Sequence, residues 1–131
     1  MAAEDIDTLR SLLDELSAKG YESILSRVHP DFRMETLPEL ATEPQVYEGP
    51  DGMRRWWESF YDVMDEIQLR AIEYRDAGPG LVAVEMELAA RGQASGIEAV
   101  QQTFALVALE DGQLIRFDFF HSLDAAVAAA G

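Results

Sequence analysis

The sequence predicts an α+β fold in which helices come first and a meander of long antiparallel strands follows. Three observations carry that reading. Apolar residues recur at helical spacing through the first half, and after Ile67 the period changes to two. Glycine-bearing turns such as Asp76-Ala-Gly-Pro-Gly80 and Glu110-Asp-Gly112 then punctuate the second half. A chain of 131 residues suits one core and would starve two. Residues 1–131 therefore read as one domain. Three N-terminal helices pack on a strongly curved, mostly antiparallel sheet, and a short C-terminal helix follows.

Each element has its own signal. Ile6, Leu9, Leu12, Leu13 and Leu16 form the apolar stripe of a first helix, which Gly20 stops. A second short helix runs from Tyr21 to Val28, and His29-Pro30-Asp31 breaks it because proline disfavours helix in the residue before it. Phe32 to Leu37 alternates as a short strand. Pro38 to Pro50 holds three prolines and reads as a loop with a brief strand around Val46 and Tyr47. Asp51 is placed to cap a third helix, whose stripe comprises Met53, Trp56, Trp57, Phe60, Val63, Met64 and Ile67. Strands follow at Gln68–Arg75, Leu81–Arg91, Ile97–Leu109 and Gln113–His121. Asp111-Gly112 supplies the tight turn before the last of them. The alanine-rich stretch from Asp124 to Ala130 reads as a closing helix.

Composition excludes several function classes. A hydrophobic fraction of 48% is too high for a disordered chain, despite a net charge of −15. There is no cysteine, hence no disulfide framework, thiolate metal site or cysteine nucleophile. Lys19 and nine arginines face 25 acidic residues, which disfavours nucleic acid and anionic membrane surfaces as partners. No apolar run approaches the ~20 residues of a membrane span. The first residues, Met-Ala-Ala-Glu-Asp, lack the basic start of a signal peptide, so a cytoplasmic protein is expected.

The order of elements and four local sequences resemble the SnoaL-like branch of the nuclear-transport-factor-2-like (NTF2-like) superfamily. These are His29-Pro-Asp-Phe-Arg-Met34, Tyr47-Glu-Gly-Pro-Asp-Gly-Met-Arg-Arg-Trp-Trp57, Arg91-Gly-Gln-Ala-Ser-Gly96 and Glu110-Asp-Gly-Gln-Leu-Ile-Arg-Phe117. The resemblance spans nearly the whole chain. It implies a cone: a sheet curled around helices, leaving a deep pocket open at one end, with dimers forming through the outer sheet face. Such folds include ketosteroid isomerases, polyketide cyclases, epoxide hydrolases, dehydratases and binding proteins without chemistry, so the pocket has to be argued residue by residue.

Strand alternation assigns faces. Val82, Val84, Met86, Leu88 and Ala90 point inward, leaving Glu85 and Glu87 outward where Arg116 can pair with them. Aligned to the family pattern, Ala99, Gln101, Thr103, Ala105 and Val107 face inward on the third of these strands. Ile115, Phe117, Phe119 and His121 do so on the last. Val100, Phe104, Leu106, Leu114 and Phe120 would then make the outer face too apolar for open water, which predicts a homodimer through it. The pocket set is Met34, Tyr47, Trp57, Phe60, Tyr61, Met86, Gln101, Thr103, Phe117 and Phe119, mostly apolar with a few polar groups, the form of a site for a small apolar or aromatic ligand.

His121 is the candidate general base, since imidazole titrates near neutrality. Gln101, with Tyr47 or Tyr61, is placed to hold a developing oxyanion. Ordinary structural roles compete at each position: a strand-end histidine bonded to backbone, a buried amide satisfying its neighbours, tryptophans and methionines that fill the core. Trp56 and Trp57 project about 100° apart, which allows one in the core and the other at a pocket rim or interface, with core filling the preferred reading for both. Glu85 and Glu87 share a strand face, yet no second histidine or tight acidic cluster supports a metal site, and no cofactor is implied.

The catalytic sets of the resembling enzymes do not carry over. The positions of the isomerase aspartate and tyrosine hold Thr36 and Leu13, and those of the hydrolase Asp-Arg-Asp set hold Met86, Leu88 and Phe119. A slip of one residue in the first or last strand would bring Glu35 or Asp118 inward instead. Three functions follow in order: a small-molecule-binding protein, a cofactor-free isomerase, cyclase or hydrolase using His121, and a dimeric protein-interaction module.

Overall fold

The computed structural model describes residues 2–37, 46–61 and 64–130, and within these the side chains of Ala2, Ala3, Phe60 and Tyr61 lie outside the description. Helix α1 (Ala2–Lys19) buries Leu9, Leu12, Leu13 and Leu16, the predicted stripe. Its Asp5 accepts a hydrogen bond from the Gly80 backbone N–H at 2.9 Å, fixing the helix start to the sheet. Gly20, at φ +90°, ends α1. The second predicted helix forms as a 3₁₀ helix, Tyr21–Arg27, the tighter winding that short segments favour.

Strand β1 (Val28–Glu35) begins before the predicted Phe32. Val28 pairs with Leu114 and Arg33 with Arg116 across a register shift. The irregular stretch between them absorbs Pro30, which has no N–H to give to a ladder. Strand β2 (Val46–Glu48) runs antiparallel to β1 and places Tyr47 opposite Met34. Helix α2 (Gly49–Tyr61) starts earlier than predicted, so Asp51 sits in its first turn, where it pairs with Arg54 at 3.5 Å, and does not precede the helix as its cap. The helix also ends earlier. Met64 and Ile67 lie on strand β3 (Met64–Gly78), because an apolar spacing that suits a helix there is overridden by pairing with the neighbouring strand.

Strands β4 (Leu81–Gly92), β5 (Glu98–Glu110) and β6 (Gln113–Phe120) complete the sheet, and helix α3 (Leu123–Ala129) closes the chain with Ser122 Oγ accepting from the Ala125 N–H at 3.0 Å. Strand order is β2-β1-β6-β5-β4-β3, with β1 and β6 parallel and the other neighbours antiparallel. Against β4, the β3 register shifts at Asp65/Gln68, Ala71/Glu73 and Asp76/Gly78, each shift giving β3 the extra residue. Glu66, at φ 54°, sits in the first of these bulges. Bulges bend a strand and raise its twist, so repeated extra length in one edge strand curls the sheet around the helices.

Apolar residues collect on both faces. The larger cluster fills the concave side between α1, α2 and the sheet and includes Phe32, Met34, Met86 and Val107. The smaller lies on the convex side, where α3 packs Leu123 and Ala126 on Ala83 and Leu106. The predicted outer apolar face is therefore reduced. Leu106 is 8% exposed beneath α3, Leu114 belongs to the concave cluster, and Val100, at 57%, remains open. Glu87 is outward as predicted, but its arginine partner is Arg70 at 3.3 Å, since Arg116 is taken by Asp118.

Candidate functional site

The concave side encloses a cavity of about 30 Å³. Leu9, Leu12, Leu13 and Leu16 of α1 form one wall, and Met53, Trp56 and Trp57 of α2, with Ile24, form another. The sheet contributes Met34, Leu69, Leu88, Thr103, Leu114, Phe117 and Phe119. A volume of that order holds a water molecule or two, far below the roughly 300 Å³ of a typical ligand site. The interior is closed by its own side chains.

Both tryptophans are buried, in the core-filling role preferred for them from the sequence. Helix α2 is covered on two sides, so each ring finds a partner. Trp57 stacks on Tyr21 at 6.2 Å, and Trp56 meets Phe119 at 5.6 Å. Phe117 and Phe119 pack at 5.1 Å. Such offset and edge arrangements lock ring orientation and give the lining fixed aromatic surfaces.

Of the residues singled out from the sequence, Met34, Trp57, Thr103, Phe117 and Phe119 line this cavity together. Met86 and Tyr47 are buried in the same cluster without reaching it, and the Arg55 guanidinium lies 5.8 Å from the Tyr47 ring centre. Phe60 and Tyr61 fall among the side chains outside the description, as do residues 38–45 of the proline-bearing segment.

Gln101 and His121 are exposed. Gln101 keeps its predicted face, for it pairs with Leu88, but the helices stop covering β5 between Gln101 and Thr103. His121 follows the last paired residue of β6, Phe120, and so lies past the covered part of the strand.

The last strand also corrects the face assignment at its start. Ala108 pairs with Arg116 but Leu109 with Leu114, so Ile115 is an extra residue in a bulge. The bulge inverts parity: Leu114 joins Phe117 and Phe119 inside, and Ile115 is displaced from the lining. No local pattern marks that bulge, whereas Leu12, Leu13 and Leu16 were visible as a stripe and needed only the position of α1 to become lining.

The carboxylates left open by strand register both lie away from the interior. Phe117 pairs with Met34 and Asp118 with Glu35, so the aromatic and the thioether turn in while the two acids turn out. Glu35 is exposed. Asp118 is 7% exposed on the convex side, accepting from the Glu35 N–H at 3.2 Å and from Arg116 Nε. Among the described lining residues there is thus no acid, no base and no metal ligand. Besides the indole N–H groups of Trp56 and Trp57, the polar group there is the Thr103 hydroxyl, which turns to the Met86 carbonyl oxygen at 3.5 Å. The helix–sheet seam outside holds Tyr74, whose phenol is held above its ordinary pKa of 10.0 by burial, with Arg10 opposing from 5.1 Å over the ring.

The model of the SnoaL-like domain family matches residues 9–117, from the first cavity-lining leucine of α1 to Phe117. The chain belongs to the SnoaL-like domain family. Solved structures with the same fold agree. TerC co-crystallised with polyporic acid is 16% identical, with a TM-score of 0.76 over 95% of this chain and 98% of that one. A SnoaL-like protein from Jannaschia sp. CCS1, described as a candidate polyketide cyclase, is 18% identical, with a TM-score of 0.73 over 98% and 94%. A hypothetical protein with a ketosteroid-isomerase-like fold from Catenulispora acidiphila DSM 44928, in complex with trimethylamine, is 9% identical, with a TM-score of 0.72 over 95% and 92%. At these identities the likeness is one of fold. Comparison with curated proteins yields no match. In this SnoaL-like chain no helix is long and apolar enough to cross a membrane.

Proposed function

We propose that this SnoaL-like protein binds a small, mostly apolar molecule in the interior of its cone. The observation that supports it is the lining itself: aromatic and aliphatic side chains from α1, α2 and five strands converge on one space. Desolvated apolar walls with little polar surface favour an apolar guest, and the described lining residues include no carboxylate, imidazole or amine to act as general acid or base. Binding is therefore preferred over turnover by His121, which is exposed at the end of β6. The volume of about 30 Å³ means that a ligand enters only as lining side chains move apart, and its affinity carries the cost of that opening.

The test is a thermal-denaturation screen with steroid-like, terpenoid and polyphenolic compounds. A ligand at a hundred times its Kd adds about 2.7 kcal/mol of stability and raises Tm. The reading fails if no compound shifts Tm, or if Leu88→Trp, which fills the cavity, leaves the shifts unchanged. A homodimer through the convex face belongs to the same proposal, resting on exposed Val100 beside half-buried Phe104 and Phe120. Val100→Asp is expected to produce monomer in light scattering, and an unchanged mass with the wild type dimeric places the interface elsewhere.

A further inference from the structure

Gln101 occupies the point where the apolar interior meets water. It pairs directly with Leu88 and lies two residues before Thr103 on the same strand, so its side chain shares the concave face with two cavity-lining residues. Opposed side chains of an antiparallel pair stand about 5 Å apart at Cβ, well within reach of a long amide. Gln101 is exposed where Thr103 is 3% exposed, which puts the rim of the covered interior between them. The amide of Gln101 makes no hydrogen bond to another described residue, whereas the Thr103 hydroxyl is turned to Met86. Of these two neighbouring side chains on β5, the hydroxyl is engaged and the amide bonds to no other described residue.

Charge narrows the guest further. No lysine, arginine or histidine lines the cavity, and residues 38–45 and 60–63 contain none in the sequence. The nearby cation, Arg91, lies on the other face of β4, beside Glu66 at 3.5 Å and Glu98 at 4.0 Å. An anion drawn into this interior would lose its hydration with no partner, in a protein of net charge −15. No carboxylate among the described lining residues would pair a cation, and the tryptophan and phenylalanine rings are packed on one another.

We infer that Gln101 is the polar anchor of the site, taking the hydroxyl or carbonyl end of an uncharged, otherwise apolar ligand whose body lies in the interior. This rests on the interior being a ligand site, and it names the ligand class and the residue that selects it. An amide both donates and accepts, so either polar end is served.

Four one-ring probes of similar size separate the possibilities: para-xylene, para-cresol, para-toluate and para-methylbenzylammonium, titrated calorimetrically at neutral pH. The indole N–H signals of Trp56 and Trp57 locate binding. The expected result is that cresol binds about three- to tenfold more tightly than xylene, the value of one added hydrogen bond, and that neither ion binds. Gln101→Leu, at an exposed position, should bring cresol to the affinity of xylene and leave xylene unchanged. Thr103→Val should leave the cresol preference in place.

The anchor assignment is overturned if Gln101→Leu keeps the preference, if Thr103→Val abolishes it, or if xylene binds as tightly as cresol to the wild type. An ion that binds as tightly as cresol overturns the uncharged class. If neither neutral probe moves the indole signals, the interior is not a ligand site and the inference falls with that reading.

Discussion

The two faces of one sheet solve burial differently. On the concave face, side chains from β1, β3, β4, β5 and β6 meet two helices and the 3₁₀ helix, and Phe32, Val82, Val84, Met86 and Val107 are wholly enclosed. On the convex face, a seven-residue, alanine-rich helix covers a small patch, and a buried Asp118 sits at its margin with Arg116. Among the described residues, no charged side chain lines the concave cavity. The convex side mixes a thin apolar cover with ion pairs that keep contact with solvent.

The largest effect should come from emptying the concave core. Phe32→Ala is expected to cost about 3–5 kcal/mol in urea denaturation, because the site is enclosed and cannot collapse fully. On the convex side, Leu123→Ala should cost about 2 kcal/mol, since a short terminal helix relaxes into the space. Equal losses at the two positions would break the distinction between thick and thin cover. Asp118→Asn should cost about 1–2 kcal/mol, the worth of charge-assisted hydrogen bonds, because Arg116 is 53% exposed and recovers water once unpaired. A loss twice that size would mean the pair is sealed as a buried one.

A smaller loss, about 1 kcal/mol, is expected for Gly112→Ala. The backbone there has φ +79° and no atom lies within 4 Å of an added Cβ, so conformational strain acts alone. The smallest effect belongs to the seam between α1 and β3. Tyr74 has its folded pKa raised, chiefly by burial. Its contribution is complete below the unfolded value of about 10 and is lost as pH rises through the higher folded value. Tyr74→Phe should therefore flatten the fall of the urea midpoint in that alkaline window. An unchanged slope would assign the fall to other groups.

Particular residues show how much was legible beforehand. The α1 leucines and the β4 alternation from Val82 to Leu88 settled into place because each pattern is periodic over enough residues to outweigh local noise. Met64 and Ile67 were misplaced because their spacing suits helix and strand alike. Only pairing with β4 chooses between the two. Of the pocket set, Met34, Trp57, Thr103, Phe117 and Phe119 line the interior, while Gln101 and the candidate base His121 are exposed.

The sequence by itself determined the α+β class, the SnoaL-like resemblance, the turn at Asp111-Gly112 and the apolar character of the interior. These follow from local propensity and periodicity, which a single chain segment expresses on its own. The tertiary structure alone decided that Leu114 and not Ile115 turns inward, that α3 covers Leu106, and that the cone closes to about 30 Å³. A bulge depends on how two strands pair, and a cavity is the space that side chains from many elements fail to fill. Both are sums over distant parts of the chain, which no local pattern contains.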